Sequence, residues 1–172
     1  MEKRRSSKHI YEGKVLNLRV DEVEIENGNT ATREVVEHPG AAAIVPILDG
    51  EVILVRQYRY PIGSDLLEIP AGTLKANENP EDCAVRELEE ETGYRCKMIT
   101  KMTECFVAPG YSTEKIHIYL AKGLTKTQTK MDEDESINLE RYPFSEALEK
   151  IRTGEIRDAK SIVGLQAAAR LL

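Results

Sequence analysis

Tryptophan is absent from this chain of 172 residues, and phenylalanine occurs only twice. Aromatic residues total 5%, which leaves few side chains on which bases could stack. Cysteine is scarce as well. Cys83, Cys96 and Cys105 form no CxxC pair and are odd in number. They do not support a disulfide framework, fit a reducing cytoplasm, and read as small packing residues. His9, His38 and His117 are scattered without ligand spacing, which argues against zinc. No apolar run approaches the length of a membrane span. None follows the basic start Met-Glu-Lys-Arg-Arg-Ser-Ser-Lys-His, so those residues read as a solvated tail and not as a secretion signal. Excess positive charge is also missing. A net charge of -6 argues against a general nucleic-acid surface, which needs basic density to displace counterions.

What the chain does have is a capped, acidic helix. Over residues 72–94 the sequence reads Gly-Thr-Leu-Lys-Ala-Asn-Glu-Asn-Pro-Glu-Asp-Cys-Ala-Val-Arg-Glu-Leu-Glu-Glu-Glu-Thr-Gly-Tyr. Asn79 suits an N-cap, Pro80 the first helical position, and Glu81 and Asp82 the positive end of the helix dipole. Gly93 is a natural stop, because it reaches positive φ without steric cost. Ala84, Val85, Leu88 and Thr92 share one arc and should face the core. Glu87, Glu90 and Glu91 share the neighbouring arc. Three adjacent carboxylates repel one another, and a hard divalent cation would relieve that repulsion. A solvated acidic face is the competing reading, and carboxylate spacing alone does not decide between them.

The rest of the chain reads as strands before and after this helix, then helices. Residues 15–36 form a strand meander with a hairpin turn at Asn27-Gly28, too small and polar to be stable alone. His38-Pro39-Gly40 is the best boundary, giving an N-terminal β-hairpin unit over 1–39 and a main domain over 40–172. Residues 41–48 and 51–58 form a hairpin around Asp49-Gly50, central to the main sheet. Short strands are expected over 66–69, 96–103 and 115–120, with a turn-rich loop over 108–114. Residues 125–136 are polar and charged and are expected to form an exposed, mobile segment. A strand edge begins at Glu140 or Arg141. Helices are expected over 145–152 and 158–172. The order gives an α+β fold.

The spacing of Gly72, Glu78, Arg86-Glu87-Leu88, Glu90-Glu91 and Gly93 resembles the signature of the Nudix hydrolases. One position departs from it: Tyr94 stands where the family usually has an aliphatic residue. The resemblance implies a Nudix α/β/α sandwich with a mixed sheet, plus a small N-terminal antiparallel β unit like that of ADP-ribose pyrophosphatases, where it is exchanged across a homodimer. It implies that Glu87, Glu90 and Glu91, with the backbone carbonyl of Ala71, hold two or three Mg²⁺ ions, Mn²⁺ being a substitute. It also implies that Arg86 braces the loop through Glu78.

The flanks Val55-Arg56-Gln57-Tyr58-Arg59 and Glu68-Ile69-Pro70-Ala71-Gly72, and Pro109 sixteen residues past Gly93, look like the ADP-ribose pyrophosphatase branch. Tyr111 blurs that marker, because diadenosine polyphosphate hydrolases carry a tyrosine at a similar distance. By resemblance, Arg59 contacts the pyrophosphate, Arg33 reaches the nucleotide from the partner subunit, and Glu114 sits near the terminal ribose. Glu135 aligns with the catalytic base, with Glu133 as competitor. The implied catalytic group is Glu135, Glu90 and Arg86. The implied reaction is Mg²⁺-dependent hydrolysis of ADP-ribose to AMP and ribose 5-phosphate in the cytoplasm. Other nucleoside diphosphate sugars as substrate, or a non-catalytic nucleotide-binding module, are the alternatives.

Overall fold

A computed structural model describes residues 1–127 and 137–172. The chain divides into two compact units, Met1–Gly40 with Cys105–Lys115, and Ala41–Glu104 with Ile116–Leu172.

The first unit is built on an antiparallel sheet of β1 (Lys3–Glu12), β2 (Asn17–Glu24) and β3 (Thr30–Glu37), in that order. β1 corrects the expectation of a solvated basic tail. Its ten residues are all exposed, yet they pair with β2 from Lys3↔Glu24 to Glu12↔Asn17. A strand with no buried face shows no alternation of apolar and polar residues, so its sequence carries no strand signal. The turn-rich loop is tied to β3 by two backbone bonds, Val36 N–H to Tyr111 O (2.8 Å) and Thr113 N–H to Val36 O (3.0 Å).

The second unit is a sandwich around a mixed sheet. β4 (Ala41–Leu48) and β5 (Glu51–Arg59) turn at Asp49 and Gly50, with φ of 52° and 81°. Two successive positive φ values suit the twist of a tight hairpin. β6 (Ser64–Glu68) pairs with β5, and β7 (Ala71–Thr73) pairs with β4. Helix α1 (Pro80–Thr92) follows, and a short β8 (Tyr94–Arg95) comes next. After these come β9 (Met98–Phe106), β10 (Lys115–Lys122), a short β11 (Thr125–Lys126) and β12 (Ile137–Pro143). The chain closes with α2 (Phe144–Arg152) and α3 (Ala159–Ala168). The main strand order is β12-β5-β4-β10-β9, with β10 parallel to β4 and the β12–β5 and β4–β5 pairs antiparallel.

β4 explains the layering. Its residues Ala41 to Val45 are all buried, as expected of a strand covered on both faces. Ala42 and Ile44 join Cys83, Ala84 and Leu88 of α1 in one apolar cluster. Val45, on the opposite face, meets α3 at Gly164. Complete burial of a side chain such as Leu88 is worth about 1.5–3 kcal/mol, so this cluster fixes α1 firmly. α3 ends at Ala168, short of the expected Leu172. No helix among the described residues is long and apolar enough to cross a membrane.

Candidate active site

The caps of α1 are as its sequence demands. The Asn79 side chain accepts from the Glu81 N–H (2.9 Å). Gly93 adopts φ 68° and donates its N–H to Glu89 O (2.9 Å). The helix is therefore fixed at both ends, and its acid arc points at the loop that enters it.

Arg86 organises that arc. Its Nε and Nη2 grip both oxygens of Glu78 at 2.8 and 3.0 Å. Nη1 reaches Glu87 Oε1 (2.5 Å) and Glu90 Oε2 (2.8 Å). Nη2 also donates to Thr73 O (3.3 Å). One guanidinium thus ties the loop to two carboxylates and to β7. Its hydrogen bonds hold the Glu78 carboxyl at a pKa of about 2. Arg86 is in turn pushed further above its ordinary value, with Glu78 the chief cause.

Gly72 makes room for Glu87. A Cβ there would lie 1.8 Å from Glu87 Oε1 and 2.1 Å from its Cδ. Glu91 differs from its neighbours: it is buried, and its Oε2 accepts the Ala71 N–H (3.2 Å). Cys83 is buried beneath, its Sγ donating to Gly72 O (3.6 Å), and burial pushes its thiol up to about 12.

Glu87, Glu90 and Glu91 supply only carboxylate oxygens, the donor chemistry of Mg²⁺ or Mn²⁺ and not of a soft metal. Gly72 lets the first of them stand against the loop backbone. Among the described residues no three acid, histidine or cysteine side chains close on one point. The oxygen set fits a hard divalent ion.

Arg59, at the end of β5, does not stand free. Its Nε and Nη2 fork onto Glu68 at 2.7 Å each, and Glu68 is 1% exposed. Burial opposes the charge of Glu68, but the Arg59 fork and Lys160 outweigh it and hold its pKa below the usual carboxylate value. Nη1 of Arg59 is not part of the fork. The negative charge of Glu91 contributes to raising the Arg59 pKa, behind the larger influence of Glu68, so Arg59 and the acid arc share one field.

Two residues assigned to substrate lie in the first unit. Arg33 pairs with Glu2, its Nη2 2.5 Å from Glu2 Oε1, with both side chains exposed. Glu114 Oε1 lies 4.0 Å from His38 Nδ1. Glu135 and its competitor Glu133 lie outside the described residues.

Neither Lys160 nor Glu68, beyond its place in a flanking motif, was among the expected site residues. Both carried a signal. A glutamate inside Leu-Leu-Glu-Ile requires a cation when that strand is buried. A lysine one residue into a helix opposes the helix dipole unless an acid holds it there.

The NUDIX domain family model matches residues 37–163. The chain belongs to the Nudix family. Residues 2–36 match a second model, the nucleoside diphosphate sugar hydrolase N-terminal domain. The ADP-ribose pyrophosphatase of Bacillus subtilis (strain 168) is 41% identical over 168 residues, which is 96% of this chain and 91% of that one. The methanol dehydrogenase activator of Bacillus methanolicus is 42% identical with the same coverage. A crystal structure of an "ADP compounds hydrolase" matches with a TM-score of 0.89 over 99% of this chain and 94% of its own, at 24% identity, a likeness of fold. In this Nudix chain the sandwich therefore agrees with the family and with the fold of that solved structure.

Proposed function

We propose that this Nudix chain hydrolyses the pyrophosphate of ADP-ribose, giving AMP and ribose 5-phosphate, with Mg²⁺ as cofactor and Mn²⁺ as a substitute. The observation that carries the chemistry is the acid arc, with Glu87 seated against Gly72 and gathered with Glu90 on Arg86. The substrate follows from the relative named ADP-ribose pyrophosphatase, which is alike over nearly its whole length.

Glu87, Glu90, Glu91 and the Ala71 carbonyl would hold the metal. Bound there, Mg²⁺ neutralises phosphate charge and lowers the pKa of a coordinated water. Arg86 keeps Glu87 and Glu90 in register with the loop. Arg59 offers Nη1 to a pyrophosphate oxygen, a charge-assisted bond suited to its planar fork. The partner subunit's Arg33 meets the nucleotide, and Glu114 meets the terminal ribose. Glu135 takes the proton of the attacking water. Attack at phosphorus breaks one P–O bond of the bridge, and the water oxygen stays with the phosphate it attacks.

A broader reading is supported by the match of residues 2–36 to the nucleoside diphosphate sugar hydrolase N-terminal domain: a different sugar on the same diphosphate. The N-terminal unit, residues 1–39, is proposed to be exchanged in a homodimer, and the three free cysteines suit the cytoplasm. A substrate panel assayed for nucleoside monophosphate release, with and without chelator, tests the reading. Release of AMP from ADP-ribose, abolished by chelator, is expected. Binding without product in Mg²⁺ or Mn²⁺ would make the chain a silent nucleotide-binding module. Faster turnover of another nucleoside diphosphate sugar would move the substrate within the class.

A further inference from the structure

Glu68 is the last residue of β6, behind Leu67 and 1% exposed. An ionised carboxylate in such a place needs full compensation. Two cations supply it. Arg59 forks onto both oxygens, and Lys160 Nζ donates to Oε2. Lys160 is itself only 12% exposed at its side chain, against 37% for Arg59.

Lys160 is held from behind. Its Nζ also donates to Asp158 Oδ2 (3.0 Å). The same oxygen accepts the Ser161 N–H (2.9 Å), so Asp158 is at once the N-cap of α3 and the anchor of Lys160. Ser161 Oγ donates to Asp158 (2.5 Å) and accepts the Ile69 N–H (2.8 Å). Ile69 is the residue after Glu68. The chain of bonds thus closes on itself, from Glu68 through Lys160, Asp158 and Ser161 back to Ile69. Gly164 brings the helix close enough for this, since even a Cβ there would lie 2.8 Å from Ile69 Cδ1.

The charges in this loop decide what Arg59 can do. With Lys160 present, Asp158 and Glu68 carry two negative charges against two positive ones. Arg59 is the outermost cation. Remove the charge of Lys160, and among the described residues Glu68 has Arg59 as its only bonded cation. An arriving phosphate would then compete with a buried carboxylate for one guanidinium.

We propose that Lys160 is a positioning residue for Arg59, acting through Glu68. It shares the charge of Glu68 and fixes that carboxylate, so that Arg59 can turn its remaining edge to an anionic phosphate. This rests on the reading that Arg59 meets the pyrophosphate, and the test separates the two.

Steady-state kinetics with ADP-ribose and Mg²⁺ are measured for Lys160→Met, Lys160→Arg, Arg59→Ala and the double variant Arg59→Ala/Lys160→Met. Lys160→Met is expected to raise KM by about ten- to a hundredfold, the range of one charged hydrogen bond, with kcat within about threefold. Lys160→Arg restores most of the KM. In the Arg59→Ala background, Lys160→Met adds little, because the group it serves is gone. Asp158→Asn, which unties Lys160 without removing its charge, raises KM in the same direction and serves if Lys160→Met is too unstable to purify. A lysine that merely pins α3 would lower Tm while leaving KM and its coupling to Arg59 untouched. Unchanged KM in Lys160→Met or Asp158→Asn, or effects that simply multiply in the double variant, overturns the inference. Unchanged KM in Arg59→Ala overturns the role of Arg59 itself, and with it the ground on which the inference stands.

Discussion

A Cβ placed on Gly72 would meet Oε1 of Glu87 at 1.8 Å. The atom in the way is the tip of a flexible side chain, so folding can absorb Gly72→Ala by turning Glu87 aside. The φ of Gly72 is not in the left-handed region, so an alanine backbone is tolerated too. The damage therefore falls on the site. Gly72→Ala is expected to lower kcat by about tenfold or more, since small misplacements of catalytic groups cost that much, while Tm shifts by only a few degrees. A melting curve beside a turnover assay checks both halves. Wild-type kcat would mean that Glu87 need not stand where it does.

Glu90 and Glu91 are neighbours with different surroundings. Glu90 is partly exposed on Arg86, whereas Glu91 is buried and accepts the Ala71 N–H. Glu90→Gln and Glu91→Gln keep size while removing a metal-seeking charge. Both are expected to reduce kcat by about a hundredfold or more at saturating Mg²⁺, the scale on which loss of transition-state charge stabilisation acts. Only Glu91→Gln should also alter Tm, because its amide must satisfy a buried position. Near wild-type turnover in both variants would falsify the metal assignment.

The difference between what could and could not be read from the sequence follows the range of the interactions. Asn79, Pro80 and Gly93 act within a turn of their own backbone, so α1 was legible to the residue. Arg86 and Glu78 are also close in sequence, and their pairing was expected and is found. The Lys160–Glu68 contact is different. Lys160 and Glu68 are 92 residues apart, and no local pattern reports such a pair. β1 escaped for another reason: its pairing lies in the backbone, and its side chains are exposed on both faces. α3 stops short of Leu172 although Ala169 and Leu172 continue the apolar face of Ile162 and Leu165, and no glycine or proline marks the stop.

Gly164 offers a test of how tightly α3 is seated. A Cβ there would lie 2.8 Å from Ile69 Cδ1, 3.2 Å from Val45 Cγ2 and 3.3 Å from Ile118 Cγ2. Alanine gains about 1 kcal/mol in helix propensity, but overpacking a full core costs about 1–3 kcal/mol. Gly164→Ala is expected to be net destabilising. Ile69→Val removes the nearest atom and alone costs about 0.5–1.5 kcal/mol. The double variant should be more stable than the sum of the singles by about 1 kcal/mol. Denaturant titrations of the four proteins measure this, and strict additivity would show that the helix yields instead.

Acid should loosen the Glu78–Arg86 tie in a defined window. The folded pKa of Glu78 is depressed to about 2 from an ordinary 4.5. The folded state therefore binds this proton more weakly than the unfolded state does, and the contribution of Glu78 is whole above about pH 4.5 and lost as pH falls toward 2. Other carboxylates with lowered pKa, Glu68 and Glu140 among them, weaken the protein over neighbouring pH values. Comparison with Glu78→Gln isolates the single group. The Tm gap between wild type and Glu78→Gln is expected to be widest at neutral pH and to close as pH drops through that window. Below it the two proteins should melt together, because a protonated glutamate and a glutamine offer Arg86 nearly the same neutral partner. A gap that stayed constant down to about pH 2 would show that Glu78 acts by shape, with its charge contributing nothing.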